Sequence, residues 1–265
     1  MSGSSEPELL HRLVDFQLDL QRDSSEQVDE FEWGRLIYNP ATAAMWSDNF
    51  LEVESGDIDA DRLVTLADEL LGGRGMEHRS VVPRDPQHGE RLEPRFRELG
   101  WDVSRNLYMV LRRPPDRQGS PAAEVTRDEV AAVQRAVAEV DPDYTRDAVE
   151  QSPLRRARRD PIGNGRWFAA PADGEPSASC VLYERAGIGQ VETVETRPED
   201  RGRGMASAVV LAASDASRRA GHELTFIVAD ADDWPWKLYQ RLGFDPIGET
   251  SDFLRKPPQL SGESP

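Results

Sequence analysis

The chain has 265 residues, 38% of them hydrophobic and 31% charged, and a formal net charge of −17. That length holds one large domain or two small ones, with enough apolar material for a packed core. Such acidity repels phosphate backbones and acidic membrane surfaces, and no apolar run approaches the roughly 18 residues of a membrane span. Met1 to Pro7 lack the basic-then-apolar pattern of a secretory leader. A single cysteine, Cys180, excludes an internal disulfide and a multi-cysteine metal cluster, and His11, His78, His88 and His222 form no close ligand pair. A cytoplasmic protein without metal, nucleic-acid or membrane partners is expected.

In chain order, Leu9 to Leu20 predict a helix from their apolar spacing. Arg35–Tyr38 and Phe50–Val53 are expected strands. Arg62–Leu71 predicts a helix stopped by Gly72-Gly73. A strand at Arg79–Val82, a helix at Glu90–Glu98 and a strand at Asn106–Leu111 come next. Residues 113–121, rich in proline and glycine, read as a linker between a domain at 1–112 and another at 122–256. Most of the excess acid lies in the first of these. Residues 257–265 read as a frayed tail.

The second half opens with a strand at Ala122–Val125. Thr126 and Glu129 have capping-box spacing, and the helix they start runs to about Val140. Another helix is expected over Asp147–Arg158, then strands at Arg166–Ala170, Ala178–Tyr183 and Gly189–Thr196. Ala206–Arg219 is a helix with Gly221 as its stop. Leu224–Val228, Trp236–Leu242 and Ser251–Arg255 complete a strand, a short helix and a strand. Strands alternating with single helices imply an α/β class with an α+β mixed sheet. An internal repeat is also visible. Phe96-Arg97-Glu98-Leu99-Gly100-Trp101-Asp102 aligns without gaps to Tyr239-Gln240-Arg241-Leu242-Gly243-Phe244-Asp245, and each comes after a strand and a helix.

The stretch from Val191 to Ser207 carries the chemistry. A strand enters a glycine-containing turn, and a helix opens from it. The first amides of that helix have no intrahelical acceptors and can converge on an anion. Gly202 and Gly204 allow close approach without a Cβ, and Arg201 and Arg203 add positive charge. The stretch lacks both dinucleotide glycine spacing and a phosphate-loop lysine.

Together with Leu238, Tyr239, Gly243 and Phe244, the residues from Gly187 to Phe244 resemble the GNAT superfamily of acyl-CoA N-acyltransferases. Arg201, Gly204 and Ala206 fill the family's core pattern, Pro198 falls at its usual proline, and Thr196 stands where the pattern has valine. The resemblance implies a GNAT fold for 122–256 and an acyl-CoA site in a V-shaped opening between two strands. The pantetheine arm would pair with the backbone at Val194 and Thr196. The pyrophosphate would rest on the amides of Gly202, Arg203, Gly204, Met205, Ala206 and Ser207, flanked by Arg201 and Arg203. The family's chemistry is direct acetyl transfer from acetyl-CoA to an amine, without metal. Tyr239 matches the tyrosine that protonates the departing sulfur, and an amide near Val194 could polarise the carbonyl. Asp232 and Pro235 depart from the family's usual asparagine and alanine; an ionised Asp232 can accept a hydrogen bond from the cofactor arm but cannot donate one. Trp234 and Trp236 either wall the pocket or pack the core.

Strict alternation puts Gln190, Glu192, Val194 and Thr196 on one face, so Glu192 is a candidate base; a bulge would turn Glu195 inward instead. The first half reads as a degenerate copy: its turn, Glu52–Asp61, has carboxylates in place of the arginine-glycine core. The favoured acceptor is a small-molecule amine, cationic on the strength of net charge alone. A non-catalytic acyl-CoA sensor or interaction module, and a protein N-acetyltransferase, remain alternatives.

Overall fold

Helix α1, Glu6–Asp23, opens on a capping box in which the Ser5 amide donates to the Glu8 carboxylate at 2.9 Å. It buries the apolar run from Leu9 to Leu20. The structure is a computed structural model and describes residues 5–54, 56–116, 121–142 and 144–257. Residues 117–120 of the expected linker and 258–265 of the expected tail lie outside the described residues. Among the described residues, no helix is long and apolar enough to cross a membrane.

The chain forms two compact units. One holds residues up to Asn106 together with those from Gly248 onward; the other is Leu107–Ile247. In the first unit the strands are β1 (Gln27–Phe31), β2 (Gly34–Tyr38), β3 (Phe50–Val53), β4 (Arg79–Pro83), and parts of β5 (Asp102–Leu111) and β11 (Phe244–Arg255). Their sheet order is β1-β2-β3-β4-β11-β5. Sequence pattern missed β1, because four of its five residues are exposed and show no buried alternation. Helix α2 (Ala60–Leu70) links β3 to β4, and α3 (Pro86–Glu98) comes after β4. Helix α3 starts four residues before the expected Glu90, since the Asp85 carboxylate accepts the Gln87 amide at 3.0 Å and Pro86 suits a first turn. The core gathers Phe96, edge-on to Trp101 at 5.0 Å and stacked on Phe253 at 4.0 Å.

The second unit takes residues 107–111 of β5 between β10 (Leu224–Asp230) and the start of β11, and then continues with β9 (Ile188–Thr196), β8 (Glu175–Arg185), β7 (Arg166–Ala172) and β6 (Ala123–Val125). Met109 of that segment is fully buried in the unit's core. Helices α4 (Arg127–Ala138) and α5 (Arg146–Ile162) precede β7, α6 (Met205–Arg219) joins β9 to β10, and α7 (Pro235–Arg241) precedes β11. Helix α5 runs four residues past the expected Arg158, through Pro153 and Pro161. β11 begins at Phe244, well before the expected Ser251, because its first residues supply buried Phe244 and Ile247. The succession β3-α2-β4-α3-β5 matches β9-α6-β10-α7-β11, and in each case the first two strands pair in parallel.

The two glycines of the repeat end their helices in left-handed backbone, but with different surroundings. A Cβ at Gly100 (φ 75) meets nothing within 4 Å, whereas one at Gly243 (φ 98) lies 2.0 Å from the Arg113 carbonyl oxygen. Gly100→Ala should therefore cost only the conformational penalty, about 1–2 kcal/mol. Gly243→Ala must also move backbone, and its loss should be at least about twice as large. Urea unfolding of the two variants checks the order.

Candidate acyl-transfer site

The two central strands of the second unit pair only in part. β9 and β10 are in parallel register from Ile188 to Val191 against Leu224 to Ile227. Beyond that, β9 runs on to Thr196 and β10 to Asp230 without pairing to each other. The site residues named from sequence sit on this divergent stretch and on the turn and helices after it.

A bulge decides which way they point. Opposite β8, Glu192 faces Val181 and Glu195 faces Ser179, so Thr193 and Val194 together oppose Cys180. Thr193 adopts a φ of 55°, a costly value for a β-branched residue. The extra residue breaks the expected alternation. Val194 packs against the core that holds Cys180 and Ala178, and Thr196 stands opposite Ala178, while Glu192 and Glu195 share the other face. Gln190 and Glu192 therefore do not share a face with Val194 and Thr196, as strict alternation required.

On the face of the two glutamates lies a cavity of about 170 Å³ lined by Tyr144, Arg155, Arg156, Arg159, Tyr183, Glu192, Thr193 and Glu195. Arg159 Nη1 donates to Glu192 Oε1 at 2.9 Å, and Arg155 Nη2 stands 3.7 Å from the same oxygen. Glu195 is held less closely: Arg156 Nη2 lies 3.8 Å from its Oε1, and its Oε2 is buried without a hydrogen-bond partner. Burial pushes the Glu195 carboxyl up to about 7, against the pull of Arg156 and Arg155. The cavity wall is stiffened from α5, whose Asp160 accepts from Trp167 Nε1 at 2.9 Å and from the Tyr183 hydroxyl at 3.2 Å. Burial raises the Asp160 carboxyl and the Tyr183 phenol. Sequence reading singled out none of the α5 residues. Their signal was present in Arg155-Arg156-Ala157-Arg158-Arg159, four arginines in five positions of an acidic chain. Only the packing of α5 shows which of them face the glutamates.

The turn after β9 leaves the first amides of the next helix without side-chain acceptors. Pro198–Asp200 forms one 3₁₀ turn, Gly202 (φ 77) and Gly204 (φ 83) are left-handed, and α6 then opens at Met205. Gly204 is its N-cap and offers no side chain to the first amides. A Cβ at Gly202 or Gly204 would meet nothing within 4 Å, so the space above the turn is open. Arg201 is exposed, and Met205, Ala206 and Ser207 are half-buried. Arg203 Nη1 is engaged at 2.5 Å by Asp200, which also accepts from Ser177 Oγ at 2.8 Å. The Ser177 hydrogen bond and Arg203 lower the Asp200 carboxyl, keeping it ionised to brace the turn.

Tyr239, on α7, is buried in the core cluster against which Val194, Met205 and Trp236 also pack. Burial raises its phenol, so the proton is firmly held. Cys180 in the same cluster donates its thiol to the Val209 carbonyl at 3.3 Å, and burial raises it as well. Trp236 packs that core, whereas Trp234 is 60% exposed. Asp232 is exposed and its amide donates to the Asp230 carboxylate at 2.8 Å.

The corresponding place in the first unit is closed. β3 and β4 stay paired through Val53 and Pro83, and the Arg84 amide extends the ladder to the Val53 carbonyl at 2.8 Å. Glu52 is fully buried there on Arg84, which also binds Asp15 at 2.6 Å and Asp19 at 2.9 Å. Helix α2 is capped by its own Asp59, whose carboxylate accepts the Arg62 amide at 2.8 Å.

A family profile described as FR47-like protein matches residues 172–253. A comparison with curated proteins found no match. Among solved structures, the chain is similar to a functionally unknown conserved protein from Staphylococcus epidermidis, at 14% identity and TM-score 0.68 over 89% of this chain and 95% of that one. It is similar to a GCN5-related N-acetyltransferase from Kribbella flavida, at 20% identity and TM-score 0.62 over 93% and 95%. It is also similar to a tandem GNAT protein from the clavulanic acid biosynthesis pathway, at 14% identity and TM-score 0.53 over 96% of each chain. The chain has the GNAT-superfamily fold.

Proposed function

We propose that the protein is an acetyl-CoA-dependent N-acetyltransferase acting on the primary amine of a small molecule, with one acyl-CoA site per chain, in the second unit. The observation that carries this reading is Glu195: a largely buried carboxylate with one buried, unpartnered oxygen, pushed up to about 7 by desolvation. It lies on the divergent stretch of β9 that leads to an uncapped helix.

Acyl-CoA supplies an activated thioester. The residues that would hold it are the β9 backbone at Val194 and Thr196, which β10 leaves unpaired, and the amides from Gly202 to Ser207, with Arg201 free to approach the phosphates. Glu195 takes a proton from the acceptor ammonium, leaving a neutral amine to attack. The C–N bond forms as the C–S bond breaks; Tyr239 gives its proton to the departing sulfur and is reprotonated by the second proton that the nitrogen loses as the amide forms. A phenol raised by burial is protonated at neutral pH and suited to donate. Holding amine and thioester together supplies much of the acceleration.

A base with a pKa near 7 must be ionised to work. The kcat/KM of the wild type should therefore fall below about pH 7, and Glu195→Gln should lose turnover together with this limb. Unchanged pH–rate profiles in that variant would remove Glu195 from the reaction. Tyr239→Phe keeps the ring and should cost on the order of 10²-fold in turnover with little change in acetyl-CoA affinity. Titration calorimetry should find one acetyl-CoA per chain, since in the first unit the strands stay zipped and Asp59 occupies the helix terminus. Two equivalent sites would overturn that assignment.

A further inference from the structure

We infer that the Ser179 hydroxyl donates a hydrogen bond to Oε2 of ionised Glu195 and so holds the base ready for the acceptor amine. Ser179 is a positioning residue, since it acts through Glu195. The inference rests on the acyl-transfer reading and adds a residue to its site.

The sheet register brings the two side chains together. Ser179 on β8 pairs with Glu195 on β9, just past the bulge. Directly opposed residues of an antiparallel ladder project to one face, with Cβ atoms about 4.5–5.5 Å apart. On its other side Ser179 pairs with Ala169 of β7, which has no polar side-chain atom. Of the two lateral neighbours in the sheet, only Glu195 has a side chain that can accept from the hydroxyl. Both groups need a partner. Ser179 is fully buried, and its Oγ makes no hydrogen bond. Glu195 Oε2 is buried in the same condition. A buried polar atom left unpaired is costly. A rotamer change at either side chain spans a Cβ separation of this size, and the bond formed is strongest to the charged carboxylate. The hydroxyl can also turn and accept from the protonated carboxyl, but that neutral bond is the weaker of the two. Ser179 thus favours the ionised base.

Charged groups surround Glu195, and Ser179 acts in addition to them. From α5, Arg156 lies 3.8 Å from Oε1, and Arg155 also lowers the carboxyl. Asp141, before α5, raises it. Glu192, Tyr144 and Tyr183 line the same cavity. Glu192 is bonded to Arg159, and Asp160 to Tyr183 and Trp167, with Arg127 at 3.5 Å. Two residues before Ser179 on the same face, Ser177 holds Asp200. Helix α4 packs on β8 and β9 and leaves its Asp128, Glu129, Arg135 and Glu139 exposed. It buries Gln134, whose Nε2 also makes no hydrogen bond. None of these groups donates to Glu195 Oε2.

The test follows the Glu195 titration in the full-length protein by two readouts. One is the NMR resonance of its side-chain carboxyl carbon in protein with labelled glutamate, assigned by its loss in Glu195→Gln. The other is the acidic limb of kcat/KM for thiol release from acetyl-CoA, with ethanolamine, putrescine and glycine as acceptors. Removing a donor to the charged form raises a carboxyl. Ser179→Ala should therefore move both titrations upward by about one pH unit, the scale of a charge-assisted hydrogen bond. kcat/KM should then fall about tenfold below the limb and stay within about threefold of wild type well above it. Ser179→Thr keeps the hydroxyl and should hold both titrations at the wild-type position. A merely structural role would lower turnover at every pH without moving the titration, and that result overturns the inference. A shift in Gln134→Leu with none in Ser179→Ala gives the donor role to Gln134 and overturns it too. Should Ser179→Ala fail to fold, Ser179→Cys keeps the volume with a weak donor and carries the same expectation. If no amine releases thiol, the acyl-transfer reading fails. The carbon resonance then decides the hydrogen bond separately: the upward shift supports it, and an unmoved titration overturns it.

Discussion

The point at which β9 and β10 stop pairing is the constraint on which the arrangement of the second unit's candidate site depends. Four residues of each strand share a parallel ladder, and past Val191 and Ile227 the two strands run on without it. A backbone left in that state must find other partners or remain open to a ligand, because unpaired amides and carbonyls are expensive to bury. The bulge at Thr193 and Val194 falls within the first residues of that stretch. One extra residue on β9 puts Val194 into the apolar core and brings Glu192 and Glu195 to the same side of the sheet. The strain of a β-branched residue at a φ of 55° is the cost of placing two carboxylates three positions apart on one face.

Electrostatics then differ sharply between the exterior and this interior. The chain is acidic throughout, yet α5 delivers three arginines to a single small cavity. Burial raises Glu195 while the neighbouring guanidinium groups lower it, and burial wins because the closest of them stands at 3.8 Å without a hydrogen bond. Glu192, bonded directly to Arg159, has the complementary role of holding the arginine side of the cavity in place. Two glutamates on one strand thus have distinct environments, set by which arginine each can reach.

The two units show how the same succession of elements can be open or closed. Where α6 begins with Gly204 and no cap, α2 begins with Asp59 satisfying its own first turn. Where β9 and β10 diverge, β3 and β4 remain paired, with Arg84 bound to Glu52, Asp15 and Asp19. Tyr239 aligns with Phe96, and Phe96 is stacked between aromatic neighbours as a core residue. Each difference replaces a group available to a ligand with one satisfied inside the protein. The repeated Leu-Gly-aromatic exit persists in both because it serves the fold, ending a helix in left-handed backbone before a long strand.

The sequence by itself determined most of the local structure. Apolar spacing places α1, α2 and α6, capping residues place α4, and the arginine-glycine turn stands out because glycine and charge are read without knowing any long-range contact. It could not show β1, which has no buried face, nor the full lengths of β5 and β11, whose residues divide between two cores. Tertiary structure alone sets Glu192 and Glu195 apart: one is bonded to Arg159 and the other keeps a buried oxygen without a hydrogen-bond partner. A period-two reading assumes a regular strand, and a bulge is a property of two strands in register. Tertiary structure also decided that Arg155, Arg156 and Arg159 line the glutamates' cavity, since a helix presents its side chains all round and only packing selects the face that meets the site. Position in the chain dictates the charges present; burial and the distance between elements that are far apart in sequence dictate which of them meet.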